Sequence, residues 1–306
     1  MTSATKATSL LFLASALALA ADTYQKPPKA VLDVLNSPPT PTLAVSATRA
    51  YAMQGSPVRY PPIAELAEPM LRLAGQRINP KTNGLHNDTF NTSLVVRKLP
   101  EGTEIPVQTP PGGKLSMGRF SPDAVHFAFT NSTPRGIELW IGDTATGKTH
   151  RIEGVHINEV LGGGGFGGGG GRGGFGGGGA GGPVQWAPDG KSLFVLMVKP
   201  NRSAPPAAPD VPPGPHVQQS LGGAAPVVTH EDMLQTPHDE DLWEYYATSQ
   251  LASIDLATAK VTPLGKSGIV QSARTSPDGK YLLVTTIHRP FSYLHQYNAF
   301  PKEIEI

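Results

Sequence analysis

Residues Gly142 to Thr149 read Gly-Asp-Thr-Ala-Thr-Gly-Lys-Thr, the full spacing of a phosphate-cradling loop. Such a loop works by turning backbone N–H groups and the N-terminus of a following helix onto the phosphates, with the lysine as counter-charge. It needs a strand before it and a helix that starts at the lysine. The strand is present, Ile137-Glu138-Leu139-Trp140-Ile141. The segment after the lysine, Thr149-His150-Arg151-Ile152-Glu153-Gly154-Val155, has no helical apolar period and is broken by a glycine. The same position in the next repeat, Asp255–Lys260, has the hairpin without the glycine pattern, so the octapeptide is expected to be a hairpin turn. Serine chemistry of the Gly-x-Ser-x-Gly kind is missing: Gly265-Lys266-Ser267-Gly268-Ile269 lacks the last glycine. The acidic run His238-Asp239-Glu240-Asp241 has the oxygen donors for a cation, but as adjacent polar residues in an expected loop it reads as a solvated turn. The nine histidines are scattered, with none at metal-ligand spacing on a plausible helix. With no cysteine there are no disulfides and no thiolate metal sites, and no cofactor is expected.

The elements that would carry any site are strands, and a repeated turn announces them. Phe120-Ser121-Pro122-Asp123-Ala124, Trp186-Ala187-Pro188-Asp189-Gly190 and Thr275-Ser276-Pro277-Asp278-Gly279 each precede an apolar run, at 125–129, 192–198 and 281–287. Proline presets φ, aspartate bonds back to the backbone and glycine supplies positive φ. The runs behind them are β-branched, aromatic or aliphatic, as strands require. Ser121 and Ala187 lie 66 residues apart, and setting aside the 21 nearly all-glycine residues 162–182 leaves 45. Ala187 and Ser276 lie 89 apart, and setting aside the 42 residues 199–240 leaves 47. That period matches the roughly 40–45 residues of a four-stranded propeller blade. A second turn falls at half-blade distance, at 142–148 and 255–260, and a weaker first copy of the main turn starts at Ser46-Ala47-Thr48-Arg49. The expected fold is therefore all-β, a partial β-propeller with a short N-terminal helix and long Gly-rich and Pro-rich loop inserts.

The net charge of +1 gives no electrostatic reason to expect nucleic acid or an acidic membrane as partner. Residues 1–20 have the form of a secretory signal peptide: Lys6, an apolar run at 10–19, and small residues at Ala18-Leu19-Ala20. The run is too short for a membrane span, so export to the periplasm or the exterior is expected. Residues 21–41 then form a helical and extended segment. Prolines 27 and 28 stand at the helix start, and apolar residues at 31, 32, 34 and 35 run up to Pro38-Pro39. A second helical piece is expected at 63–74. The propeller occupies 42–306, with flexible inserts at 162–182 and 199–240. Gly171-Arg172-Gly173-Gly174-Phe175 in the first insert has one arginine, too few for an RNA-binding box. In the second, Thr229 with Asp232 three residues on resembles a helix-capping pair.

From Thr229 the residues resemble a known family. The run 229–251, THEDMLQTPHDEDLWEYYATSQL, followed by Ile287-His288-Arg289-Pro290-Phe291-Ser292-Tyr293 and Phe300-Pro301-Lys302, is similar to the propeller of the chloroplastic-type glutamyl endopeptidase group of the prolyl oligopeptidase family of serine peptidases. Pro38-Pro39-Thr40-Pro41, Tyr60-Pro61-Pro62-Ile63-Ala64-Glu65-Leu66 and Leu73-Ala74-Gly75-Gln76-Arg77-Ile78 fit the same group in the same order. The resemblance implies a two-part enzyme, in which a seven-bladed propeller limits access to a following α/β-hydrolase domain with a Ser-Asp-His triad. The chain would hold about three and a half blades of roughly 45 residues, breaking off inside the fourth and lacking the hydrolase domain. Alone it is expected to be non-catalytic. In the full protein the partners would be the missing hydrolase domain and a peptide or protein substrate cleaved after glutamate. The resemblance makes Arg289 the candidate to pair with an acidic substrate side chain through its guanidinium fork, with His288 and Tyr293 as neighbours. The competing reading is that Arg289 satisfies an acidic partner inside the propeller, such as Asp241. Tyr245 and Tyr246 read as a strand packed against neighbouring blades. The alternative function is a stand-alone propeller-type binding module.

Overall fold

A computed structural model describes residues 26–162, 182–211 and 231–306. The expected signal peptide, the glycine tract at 163–181 and Thr229 of the expected capping pair lie outside the described residues. The chain divides into two units, Met1–Pro38 and Pro39–Ile306. In the first, helix α1 (Lys29–Leu35) starts after Pro28, as the proline lead requires. Among the described residues no helix is long and apolar enough to cross a membrane.

The second unit is a partial β-propeller built from successive antiparallel meanders. Blade one holds β1 (Thr42–Val45) and β2 (Tyr51–Pro57). An insert then carries helix α2 (Ile63–Leu66) and a small sheet of β3 (Leu71–Leu73), β4 (Gln76–Asn79) and β5 (Gly84–Leu85). The blade resumes with β6 (Asn91–Lys98) and β7 (Glu104–Pro106). Blade two comprises β8 (Lys114–Leu115), β9 (Arg119–Phe120), β10 (His126–Thr133), β11 (Gly136–Asp143) and β12 (Thr149–Ile157). Blade three has β13 (Val184–Trp186), β14 (Ser192–Val198), β15 (Ser249–Asp255) and β16 (Val261–Pro263), with helix α3 (Pro237–Ala247) inserted before β15. A three-stranded sheet, β17 (Ile269–Thr275), β18 (Leu282–Ile287) and β19 (Lys302–Glu305), makes the fourth. Among the named strands, ladder pairing between adjacent blades is limited to Asn91 with Leu115 and Ile157 with Met197, and apolar side chains fill the space between the blades.

The repeated phrase is one turn used four times. The N–H groups of Ser46, Ser121, Ala187 and Ser276 donate to the carbonyls of Tyr51, His126, Ser192 and Tyr281 at 2.8–2.9 Å. Three residues on, the N–H groups of Arg49, Ala124, Gly190 and Gly279 return to those first residues at 2.9–3.0 Å. That position has φ of 58°, 59°, 69° and 72°, which glycine adopts without cost and Arg49 and Ala124 do not. The carboxylates of Asp123 and Asp278 each accept the serine hydroxyl at 2.5 Å, and Thr48 takes their place in the first copy. The weak first copy at 46–49 is thus a true repeat.

These turns and the β6–β7, β11–β12 and β15–β16 hairpins share one end of the blades, where Asp123, Asp143, Lys148, Gly190 and Asp255 line a common groove. Antiparallel order sends the other connections, of which 58–90, 158–162, 182–183, 199–211, 231–248 and 288–301 are described, out of the opposite end. There they build their own apolar layer from Leu73, Ile78, Val160, Leu234, Trp243, Tyr246, Phe291 and Phe300. Between the blades, alternation sorts the strands: Phe127 and Phe129 of β10 face blade one, while Ala128 faces blade three.

Three expectations need correction. The acidic run 238–241 is the first turn of helix α3, not a loop. Tyr245 and Tyr246 are on the same helix, not on a strand. The helical piece expected at 63–74 stops at Leu66, because Pro69 and the turn at Ala74 and Gly75, two residues at positive φ, impose a hairpin. The insert set aside at 199–240 is also structured where it is described. Its Arg202 stacks 4.0 Å over the Tyr245 ring and donates to Asn83 Oδ1 at 2.9 Å.

Candidate functional site

Two places carry the sequence-derived candidates. At the phosphate-loop pattern, the Asp143 N–H donates to Lys148 O at 2.9 Å and Asp143 Oδ1 accepts the Thr146 N–H and hydroxyl at 2.8 and 2.6 Å. The Asp255 hairpin repeats this, bonding to Lys260 O at 3.1 Å and accepting from Thr258 at 2.8 and 2.7 Å. The threonine hydrogen bonds are the main cause holding both aspartates below the usual carboxylate range. Thr149 then enters strand β12, so no helix N-terminus faces the loop. The two glycines have packing reasons. A Cβ on Gly142 would collide with the Phe127 ring, and one on Gly147, at φ 69°, with the Pro106 carbonyl. Gly142→Ala should therefore destabilise the fold by about 1–3 kcal/mol through overpacking. Urea melts read that loss. A variant as stable as wild type that has gained or lost nucleotide binding would restore the phosphate reading.

The second place is helix α3 with Arg289. Thr236 caps the helix: its Oγ1 accepts the Asp239 N–H at 3.1 Å, and the Asp239 carboxylate accepts the Thr236 N–H at 2.9 Å. Pro237 at the first position and acidic residues in the first turn complete the start. At the other end, Asn83 and Asn158 donate to Tyr246 O at 3.1 and 2.9 Å, and Arg202 to Tyr245 O at 3.1 Å. These side chains satisfy carbonyls that a helix end leaves open. The helix turns Trp243, Tyr246 and Ala247 inward and leaves Glu240, Asp241 and Glu244 along one side.

Arg289 meets all three acids. Its Nε donates to Glu244 at 2.8 Å, its Nη2 to Asp241 at 2.8 Å, and its Nη1 to Glu240. Its guanidinium lies 5.0 Å from the centre of the Phe291 ring. Burial works against the Arg289 charge, but Glu244, Glu240 and Asp241 outweigh it and raise its pKa. Burial, then the hydrogen bond and charge of Glu240, push Tyr293 up to about 12. His288 bonds through Nδ1 to the adjacent Arg289 carbonyl at 2.7 Å. Arg289 and Tyr293 are thus brought together against α3, while His288 turns to its own backbone. The Asp241 pairing weighed for Arg289 is present. As partners of Arg289, Glu240 and Glu244 escaped the sequence reading, although Thr236-Pro237-x-Asp239 is a helix-start signature that would have placed them one turn apart.

A third feature left no signal in the sequence. The insert 58–90 and blade two enclose a cavity of about 420 Å³, lined by the carboxylates of Glu65, Glu68, Asp88 and Glu159. Burial pushes Glu159 up to about 8, against the Thr130 hydroxyl, and the Asp88 charge adds to the rise.

Comparison with known proteins finds relatives among plant peptidases. The chain is 30% identical over 300 residues to a probable chloroplastic glutamyl endopeptidase of Oryza sativa subsp. japonica, and 30% identical over 299 residues to that of Arabidopsis thaliana. Each alignment covers 92% of this chain and 29% of the relative, so the chain spans under a third of their length. No family model matches. Among solved structures, an acylaminoacyl peptidase of Pyrococcus horikoshii is similar with a TM-score of 0.40 and 14% identity, over 82% of this chain and 28% of that one. TolB of Acinetobacter baumannii gives 0.36 and 12%, over 90% and 56%.

Proposed function

We propose that this chain is the propeller portion of an exported serine peptidase of the prolyl oligopeptidase type, gating the access of peptides to a hydrolase domain and serving cleavage after glutamate. The observation that carries this reading is the 30% identity to the two plant glutamyl endopeptidases along 92% of the chain. The propeller meander suits such gating, since among the described residues its long inserts leave the blades at one end. Arg289 fits the role of a staple better than that of a substrate fork. Three carboxylates occupy its donors, and a substrate glutamate would have to displace one of them. His288 and Tyr293 remain candidate contacts at the same edge.

The test uses the native protein, captured with an antibody raised against residues 39–306. A polypeptide about three times the 32.2 kDa of this chain, labelled by a fluorophosphonate serine probe and cleaving peptides after glutamate, is the expected result. An unlabelled species with no serine hydrolase attached would overturn the reading in favour of a stand-alone binding module. The N-terminus of the captured protein, sequenced directly, checks export: it should start close to Ala21.

A further inference from the structure

Glu159 is 7% exposed, yet it stands on the wall of a cavity. It follows strand β12, and its N–H donates to Asn83 O at 3.2 Å, which ties it to the blade-one insert. Its Oε1 accepts the Thr130 hydroxyl at 3.1 Å. Thr130 is the hydrogen-bond partner of this carboxylate among the described residues, so Oε2 is left without one on a residue that lines the cavity. The lysines of the lining are already matched, Lys81 with Glu68 at 2.9 Å and Lys114 with Glu65. Neither forms an ion pair with Glu159. Leu85, Phe90 and Ile137 add apolar wall.

A carboxylate so placed is costly without a cation that also donates hydrogen bonds. A metal does not fit: among the described residues no group of three or more His, Cys, Asp or Glu side chains could hold one. An ammonium group fits better, since it brings one positive charge and three donors to a single carboxylate. The volume lies within the range of small-molecule sites, and a mixed polar and apolar lining is usual there. We propose that the cavity binds a small organic primary ammonium ion, its nitrogen on Glu159 Oε2 and its carbon chain along Leu85, Phe90 and Ile137. The site is independent of the peptidase reading.

Proton balance follows from the burial of Glu159. In the empty cavity the carboxyl keeps its proton through neutral pH. When the ammonium enters, the carboxyl O–H bond breaks, the proton goes to solvent, and the ammonium keeps all three of its own. Affinity should then rise with pH by up to about tenfold per unit until the carboxyl ionises in the free protein. Glu65, Glu68, Asp88, Lys81 and Lys114 also line this cavity, so the pH profile of the protein must be compared with that of a Glu159→Gln variant.

The experiment titrates n-butylamine, and butan-1-ol as its uncharged analogue, into the protein near pH 8, read by calorimetry and by thermal melting. Saturable binding of the amine with a raised melting temperature, no effect of the alcohol, and a loss of about tenfold or more in Glu159→Gln are expected. The melt of the variant shows directly that it is folded. A blocked peptide carrying a lysine side chain distinguishes the sources. If the free amine binds and the peptide does not, the ligand is a small metabolite-sized amine; if the peptide binds as well, the cavity accepts a side chain. No saturable binding of butylamine, or equal binding by Glu159→Gln, overturns the proposal.

Discussion

Glu159→Gln should raise the stability of this protein by several kcal/mol near pH 8 and by little near pH 5. The Glu159 carboxyl titrates at about 8 in the fold, against an ordinary value of 4.5. Below the lower value both folded and unfolded chains hold the proton, and no penalty arises. Between the two values the unfolded chain ionises while the folded protein does not. Each pH unit there favours unfolding by about 1.4 kcal/mol. Above the folded value both states are ionised and the loss levels off. Glutamine has no proton to release, and its carbonyl still accepts from the Thr130 hydroxyl. Wild-type stability should therefore fall as pH rises from about 5 to 8, while the variant stays flatter.

The other shifted carboxylates act in a different window. Asp123, Asp143, Asp255 and Asp278 are held below the ordinary range, chiefly by hydroxyls of Ser121, Thr146, Thr258 and Ser276. Burial pushes Glu138 up, but Arg151, Asn131 and Trp140 outweigh it and leave it lowered. Their stabilisation is present above the unfolded value and is lost as pH falls through the folded one. They weaken the fold in acid and leave the interval from 5 to 8 to Glu159 among the shifted carboxylates. Urea melts of both proteins across that interval provide the check. Parallel curves for wild type and variant would show that Glu159 is ionised in the fold.

The blades were legible because their information is local. A turn that needs a hydroxyl, an aspartate and a positive-φ residue writes itself into consecutive positions, as at Ser276, Asp278 and Gly279. The same logic removed the phosphate loop, since a strand after Lys148 can be read from neighbouring residues. Helix α3 was missed for a different reason. Its first turn is charged and its buried residues, Trp243, Tyr246 and Ala247, come late, so the segment reads as polar insert then strand. Only the cap at Thr236 and Asp239 marks it locally. The choice for Arg289 was half-visible: Asp241 could be named as a partner, but Glu240 and Glu244 join only once the helix is known. Glu159 could not be found at all. Its burial comes from residues 58–90 folding over strand β10, so the covering segment lies about 70 to 100 positions before Glu159 and leaves no spacing in the chain.

The largest single-residue loss expected in the insert layer comes at Trp243. This side chain is fully buried, with the Tyr297 ring 5.7 Å and the Phe300 ring 6.3 Å from it, centre to centre. It sits where segments from three blades meet, since Leu73 and Ile78, Val160, and Phe291 all belong to the same apolar cluster. Trp243→Ala should cost about 3–5 kcal/mol, the transfer term plus the cavity left behind. Trp243→Phe should cost much less, because the indole Nε1 is buried without a hydrogen-bond partner among the described residues and its removal relieves that defect. The loss should also be uneven in space. The insert layer and the blades have separate apolar clusters, so hydrogen exchange in Trp243→Ala should speed up at 71–79, 237–247 and 289–300. Strands β10 and β11, whose cores lie between blades, should keep their protection. Uniform acceleration across all of these segments would mean that the inserts and the blades unfold as one, and that the layer is part of the propeller's own cooperative core.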